Sequence, residues 1–181
     1  MTARPMTGLG RGLSRGLLVV GLLLAASAPA LADGGGGNGT GGGASSPAGR
    51  EDPLFRDGVQ AIKAGDYPRA VRALESVVSR DGANADAYNW LAYATRQAGD
   101  PAKAIPLYQK ALALNPKHRG AHEYIGEAYL ALGNLAKAKE HLTTLDKLCF
   151  LPCGEHTDLK KAIQAYETSG GQARPTTKRT P

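Results

Sequence analysis

The chain repeats itself every 34 residues, and that period constrains its fold more than any other property. Gly58, Ala92 and Gly126 stand in one column, Gly65, Gly99 and Gly133 in a second, and Ala70, Ala104 and Ala138 in a third. Leu74, Tyr108 and Leu142 make a fourth, and Val77, Ala111 and Leu145 a fifth. Small residues return where small residues stood, and large apolar ones where apolar ones stood. A unit of this length is a helix, a tight turn and a second helix. Such units stack so that neighbours bury one continuous core.

The punctuation agrees with the period. Gly65-Asp66, Gly99-Asp100 and Gly133-Asn134 each close one helical pattern with a residue that tolerates positive φ and open the next with an N-cap former. Pro68 and Pro101 follow in the first turn, where a missing N–H costs least. Ala70, Ala104 and Ala138 are expected at close crossings, with Leu74, Tyr108 and Leu142 four residues on along the same helix face. These columns are packing positions and carry no chemistry.

The middle unit, Ala85 to His118, supplies Tyr88, Leu91, Ala92, Gly99, Ala104, Tyr108, Ala111 and Pro116 in the order of a known pattern. The third, Arg119 to Pro152, supplies Ile125, Gly126, Tyr129, Gly133, Ala138, Leu142 and Leu145. The first, Glu51 to Asn84, is the most divergent, with Asp57 and Ala61 where the pattern has Leu and Tyr, and Gly82 in place of a closing proline. On these residues the chain resembles the tetratricopeptide repeat family. The resemblance implies an all-α fold, a right-handed α-solenoid of three helix pairs over residues 51–152. A terminal helix must then cover the last pair. Leu159, Ala162, Ile163 and Tyr166 form one apolar stripe, so Thr157–Thr168, within residues 153–168, reads as that capping helix.

The two ends read differently. Residues 1–32 have Arg4, Arg11 and Arg15, an apolar run from Leu17 to Ala26, and the small-x-small triplet Ala30-Leu31-Ala32. That is the layout of a secretory signal peptide, with cleavage expected after Ala32 and the periplasm as destination. The rival is an uncleaved inner-membrane anchor, since Gly16 to Ala32 is an uncharged run of 17 residues, against about 20 for a membrane-spanning helix. No cysteine sits near the cleavage site and there is no Arg-Arg pair, which favours the general export route without a lipid anchor. Residues 33–50 hold nine glycines and read as a flexible linker, and residues 169–181 as a disordered basic tail. From Arg50 to Gly171 there are 16 Lys/Arg against 15 Asp/Glu, a net of +1. Five of the chain's six net positive charges therefore belong to its ends, and nucleic-acid binding is rejected.

Cys149 and Cys153 flank Phe150-Leu151-Pro152 at the entry to the capping helix. In an exported chain a pair of cysteines most simply closes a disulfide. The Cys-x3-Cys turn is also similar to endings of small exported bacterial tetratricopeptide proteins. Two sharper alternatives use the same residues. One is a mixed N/S metal site of His141, Cys149, Cys153 and His156, with His141 otherwise an exposed residue of its helix. The other is a thiol-disulfide exchanger, although the Cys-x2-Cys spacing of such enzymes is missing.

The resemblance further implies a concave groove lined by first-helix residues. These are Asp52, Phe55, Arg56, Val59, Ile62 and Lys63 in the first unit. The second contributes Asp86, Asn89, Trp90, Tyr93, Arg96 and Gln97, and the third Gly120, Glu123, Tyr124, Glu127, Leu130 and Ala131. Asn89, Trp90, Tyr93, Arg96, Glu123, Tyr124 and Glu127 are the candidate partner-binding set, since aromatics and Arg dominate binding energy at interfaces. The alternative role for Trp90 and Tyr93 is packing between neighbouring first helices. The family's basic clamp for a terminal carboxylate is absent, because Phe55, Val59, Glu123 and Glu127 occupy its places. The expected function is a non-catalytic envelope adaptor that binds a peptide or helix and needs no cofactor. The alternatives are a self-associating structural subunit, forming a homo-oligomer, and the thiol or metal chemistry above.

Overall fold

The computed structural model describes residues 52–172, so the leader (1–32), the linker (33–50) and most of the tail lie outside the described residues. Among the described residues there are seven helices and no strand. They are α1 (Pro53–Ala64), α2 (Tyr67–Arg80), α3 (Ala85–Gln97), α4 (Pro101–Leu114), α5 (Arg119–Ala131), α6 (Leu135–Leu148) and α7 (Gly154–Thr168). Each pair α1/α2, α3/α4 and α5/α6 packs against itself and against the next pair, an all-α solenoid. None of these helices is long and apolar enough to cross a membrane.

Local chemistry sets the helix ends. Asp66, Asp100 and Asn134 cap the second helices, their side chains accepting the backbone N–H of Arg69, Lys103 and Lys137, each at 3.1 Å. Gly65, Gly99 and Gly133 adopt φ of 77°, 102° and 78°, the left-handed conformation in which a side chain is strained. Pro106 is carried inside α4 at an exposed position, and Ala102, whose carbonyl it leaves without a helical donor, is exposed too. Asp57, where the family pattern has an apolar residue, is ion-paired with Arg69 of α2. A partly exposed charge pair thus stands in for packing at that crossing.

The alanine column Ala70, Ala104 and Ala138 is fully buried, as are Leu74, Tyr108, Val77, Ala111 and Leu145. Leu142 is only half-buried. The main core runs through the first two pairs into α5. A second cluster joins Leu130, Ala138 and Leu145 to Leu159 and Ile163 of α7. Burial of the two α7 side chains contributes about 3–6 kcal/mol to docking this helix. α7 begins three residues earlier than the sequence stripe indicates. Cys153 is its N-cap, and Glu155 in the first turn faces Arg119 at 3.8 Å.

Candidate partner-binding site

The first helices touch one another along the array, α1 to α3, α3 to α5 and α5 to α7, whereas α2, α4 and α6 make no comparable contact with each other. Rows of unequal spacing bend the stack, so the first-helix side is concave. α7 takes the place that the first helix of a fourth unit would occupy, and closes this face beyond α5.

The candidate residues do come together here, but mostly as the floor of the groove. Asn89 and Glu123 are 2% exposed, and Tyr93, Tyr124 and Glu127 are also buried. Small residues explain the depth: Ala92, Ala94, Ala121 and Ala128 let α3 and α5 approach until the larger side chains between them lose contact with water. Trp90 is half-buried on top of this floor. Its ring meets Tyr93 edge-on at 5.7 Å between centroids and Tyr124 at 6.0 Å. Tyr93 and Tyr124 stand 5.0 Å apart, and Tyr108 of α4 lies 6.5 Å behind Tyr124. Aromatic pairs in these tilted arrangements add about 0.5–1.5 kcal/mol each beyond burial.

Arg96 and Glu127 form a buried ion pair at 2.8 Å, each side chain 8% exposed. The guanidinium also lies over the Tyr93 ring, 5.5 Å from its centroid. Burial opposes charge on Arg96, but the adjacent Tyr108 and Glu127 outweigh it and its pKa is raised. Burial likewise pushes the Tyr108 and Tyr93 phenols up, so both stay neutral. Truncating one member of such a pair leaves the other charged and desolvated. Arg96 and Glu127 therefore join α3 to α5. The exposed groove positions are Arg56 and Lys63, seven residues apart on one stripe of α1, and Ala131 of α5, while Gln97 of α3 is half-exposed. Asp52 is paired with Arg80 at 2.8 Å, and Asp86 with His118 at 3.1 Å.

The cysteines are joined, Cys149 to Cys153, with Cα atoms 5.8 Å apart. The bond removes both thiolates from the metal reading of this cluster. His141 is not an exposed helix residue: it is half-buried, with Nδ1 2.9 Å from His122 Nδ1. His156 lies 3.7 Å from Asp146 instead. Among the described residues no group of three His, Cys, Asp or Glu is arranged to hold a metal ion.

Comparison with known proteins decides the family. Two family models, both described as tetratricopeptide repeat, match residues 58–112 and 95–148, together half of the chain. The chain belongs to the tetratricopeptide repeat family. Over 100 residues it is 33% identical to cellulose synthase 2 operon protein C of Komagataeibacter xylinus, which is 55% of this chain but 8% of that protein's length. Among solved structures it is similar to MamA (41 to the end) of Desulfovibrio magneticus RS-1, at 30% identity and a TM-score of 0.51 over 52% of this chain and 54% of the other. It is also similar to the first tetratricopeptide domain of Spaghetti (RPAP3), solved bound to the HSP90 peptide SRMEEVD. There the identity is 25% and the TM-score 0.57, over 63% of this chain and 90% of that one.

Proposed function

We propose that this tetratricopeptide protein is a non-catalytic adaptor that binds a segment of a partner protein along its concave first-helix face, in the bacterial periplasm. The observation that carries the binding role is Trp90, the only tryptophan of the chain, held half-exposed on a rigid platform of Tyr93, Tyr124 and Tyr108. A large aromatic fixed in advance loses little entropy on binding, which is what an interface anchor requires. Buried Asn89, Glu123 and Glu127 shape the platform, while Arg56, Lys63 and Gln97 offer side chains to the partner. The ligand is an extended or helical segment with an apolar anchor and mixed polar flanks. The Spaghetti domain binds an HSP90 peptide, but a clamp for a terminal carboxylate has no counterpart at Phe55, Val59, Glu123 and Glu127. Export is supported by the charged, apolar and small-residue order of residues 1–32, and by a closed cysteine pair that suits an oxidising compartment.

Site-specific photocrosslinking in exporting cells tests both halves. A crosslinker at Arg56 or Gln97 should give partner adducts that Trp90→Ala reduces at least tenfold, while one at Glu75 or Lys110 on the other face should give none. Adducts only from Glu75 or Lys110, or adducts unaffected by a well-folded Trp90→Ala variant, would sink the groove. Retention of the chain in the cytoplasm would sink export alone.

A further inference from the structure

The histidines of the third pair form a hydrogen-bonded chain whose protonation states are dictated by geometry. His122 Nε2 lies 3.0 Å from the carbonyl oxygen of Pro116, which can only accept, so this nitrogen carries the proton. Its Nδ1 is then a bare lone pair, and the hydrogen in the 2.9 Å contact to α6 belongs to Nδ1 of His141. One turn earlier, His118 Nδ1 accepts the backbone N–H of Ala121 as the N-cap of α5, and its Nε2 donates to Asp86 of α3 at 3.1 Å. His122 therefore has no position for a second proton while it accepts from His141.

We propose that His122 and His141 form an acid-operated latch that holds α6 against α5 and, on taking up protons, releases α6 together with the α7 cap. A proton on His122 Nδ1 places two N–H groups face to face, and the rings must part. A proton on His141 Nε2 keeps the contact but puts a cation in a half-buried position, stacked at 5.8 Å on Tyr129. Few neighbouring groups offset such a charge. On α6, Glu140 favours it and Lys137 opposes it. From the start of α5, His118 opposes a charge on His122. Asp86 of α3 is engaged with His118, and Arg119 of α5 faces Glu155 of α7. Lys117, in the turn before α5, is exposed and cationic.

The titration runs the same way. Burial lowers His122 below the ordinary histidine value; burial, and then the His122 ring, lower His141 to about 4. The open form binds protons more readily than the closed one between these lowered values and about 6.5. The latch is therefore fully closed at neutral pH and loses stability as pH falls toward 4, the reverse of a histidine paired with a carboxylate. No comparable pair joins α1 to α2 or α3 to α4, since all four histidines of the chain lie from His118 onward.

Hydrogen exchange on the folded chain at pH 7 and 4.5, corrected for intrinsic exchange, tests this directly. Protection of α6 and α7 should fall about ten- to a hundredfold further than that of α1 to α3. His141 should titrate by NMR below pH 5. A His122→Gln, His141→Phe double variant, in which neither position can be protonated and a ring stays on Tyr129, should abolish the difference between the two halves. Equal loss of protection across all helices, or His141 titrating near 6.5 in the wild-type protein, would overturn the proposal. So would a difference that persists in the folded double variant.

Discussion

Gly126 of α5 is where the cap meets the array, and Gly126→Ala isolates that contact. A Cβ built there would stand 2.7 Å from both methyls of Leu159, closer than carbon atoms approach, and 3.3 Å from its Cγ. Leu159 is fully buried on α7, in one cluster with Leu130, Ala138, Leu145 and Ile163. Two opposed effects follow. Alanine is favoured over glycine in a helix interior by about 1 kcal/mol, while forcing a methyl into a packed core costs about 1–3 kcal/mol. Overpacking wins, for a net destabilisation of about 1 kcal/mol, or roughly 4 °C in a domain of this size. The decisive experiment is a double-mutant cycle by urea unfolding. Leu159→Ala alone should cost about 2–5 kcal/mol. In that background Gly126→Ala should turn stabilising by up to about 1 kcal/mol, leaving a coupling energy of about 1–3 kcal/mol. A coupling below about 0.5 kcal/mol, or stabilisation by Gly126→Ala in the wild-type chain, would refute the reasoning. Ala92 occupies the same column in the second unit and is fully buried, whereas a Cβ at Gly58 in the first would stand 2.6 Å from Leu74 Cγ of α2, so this level is tight within the array as well as at the cap.

The Arg96–Glu127 pair should behave as a unit: Glu127→Leu or Arg96→Met alone should each cost about 3–5 kcal/mol by chemical denaturation, and the two together far less than their sum. Gly99→Ala meets no atom within 4 Å, yet φ is 102°; a loss of about 1–2 kcal/mol in thermal unfolding would be backbone strain alone, and no loss would contradict the strain reading. Replacing Cys149 and Cys153 by Ser should lower stability by about 2 kcal/mol, the chain-entropy value for so small a ring, without weakening partner binding at Trp90. A variant that unfolds outright would show that the bond anchors α7 and does more than fix the turn.

The outline of the fold was legible because it depends on near neighbours in the chain. The glycine at each turn, the Asp or Asn after it and the small residue four places into the second helix act through the backbone and the adjacent helix. Each could be read from spacing alone. The candidate site was legible only in part. The family positions identify which face of α3 and α5 is concave, but not how deep each side chain sits. Asn89, Glu123 and Glu127 look like ligands on a helical wheel and are floor in three dimensions, because alanines elsewhere on the same helices set the separation. Arg96 and Glu127 did carry a readable signal: opposite charges in adjoining units, 31 residues apart, three short of the period. His141 carried none, since its partner is a histidine on another helix.

From the order of residues alone follow the helix pairs, their caps and the need for a closing helix. All are matters of local conformation and pattern. Which polar groups lose their water, that Leu159 seats on Gly126, and that two imidazoles meet nitrogen to nitrogen were decided by tertiary packing. Burial, and with it the strength of every charge and hydrogen bond, depends on the distance between helices, which no single stretch of chain encodes.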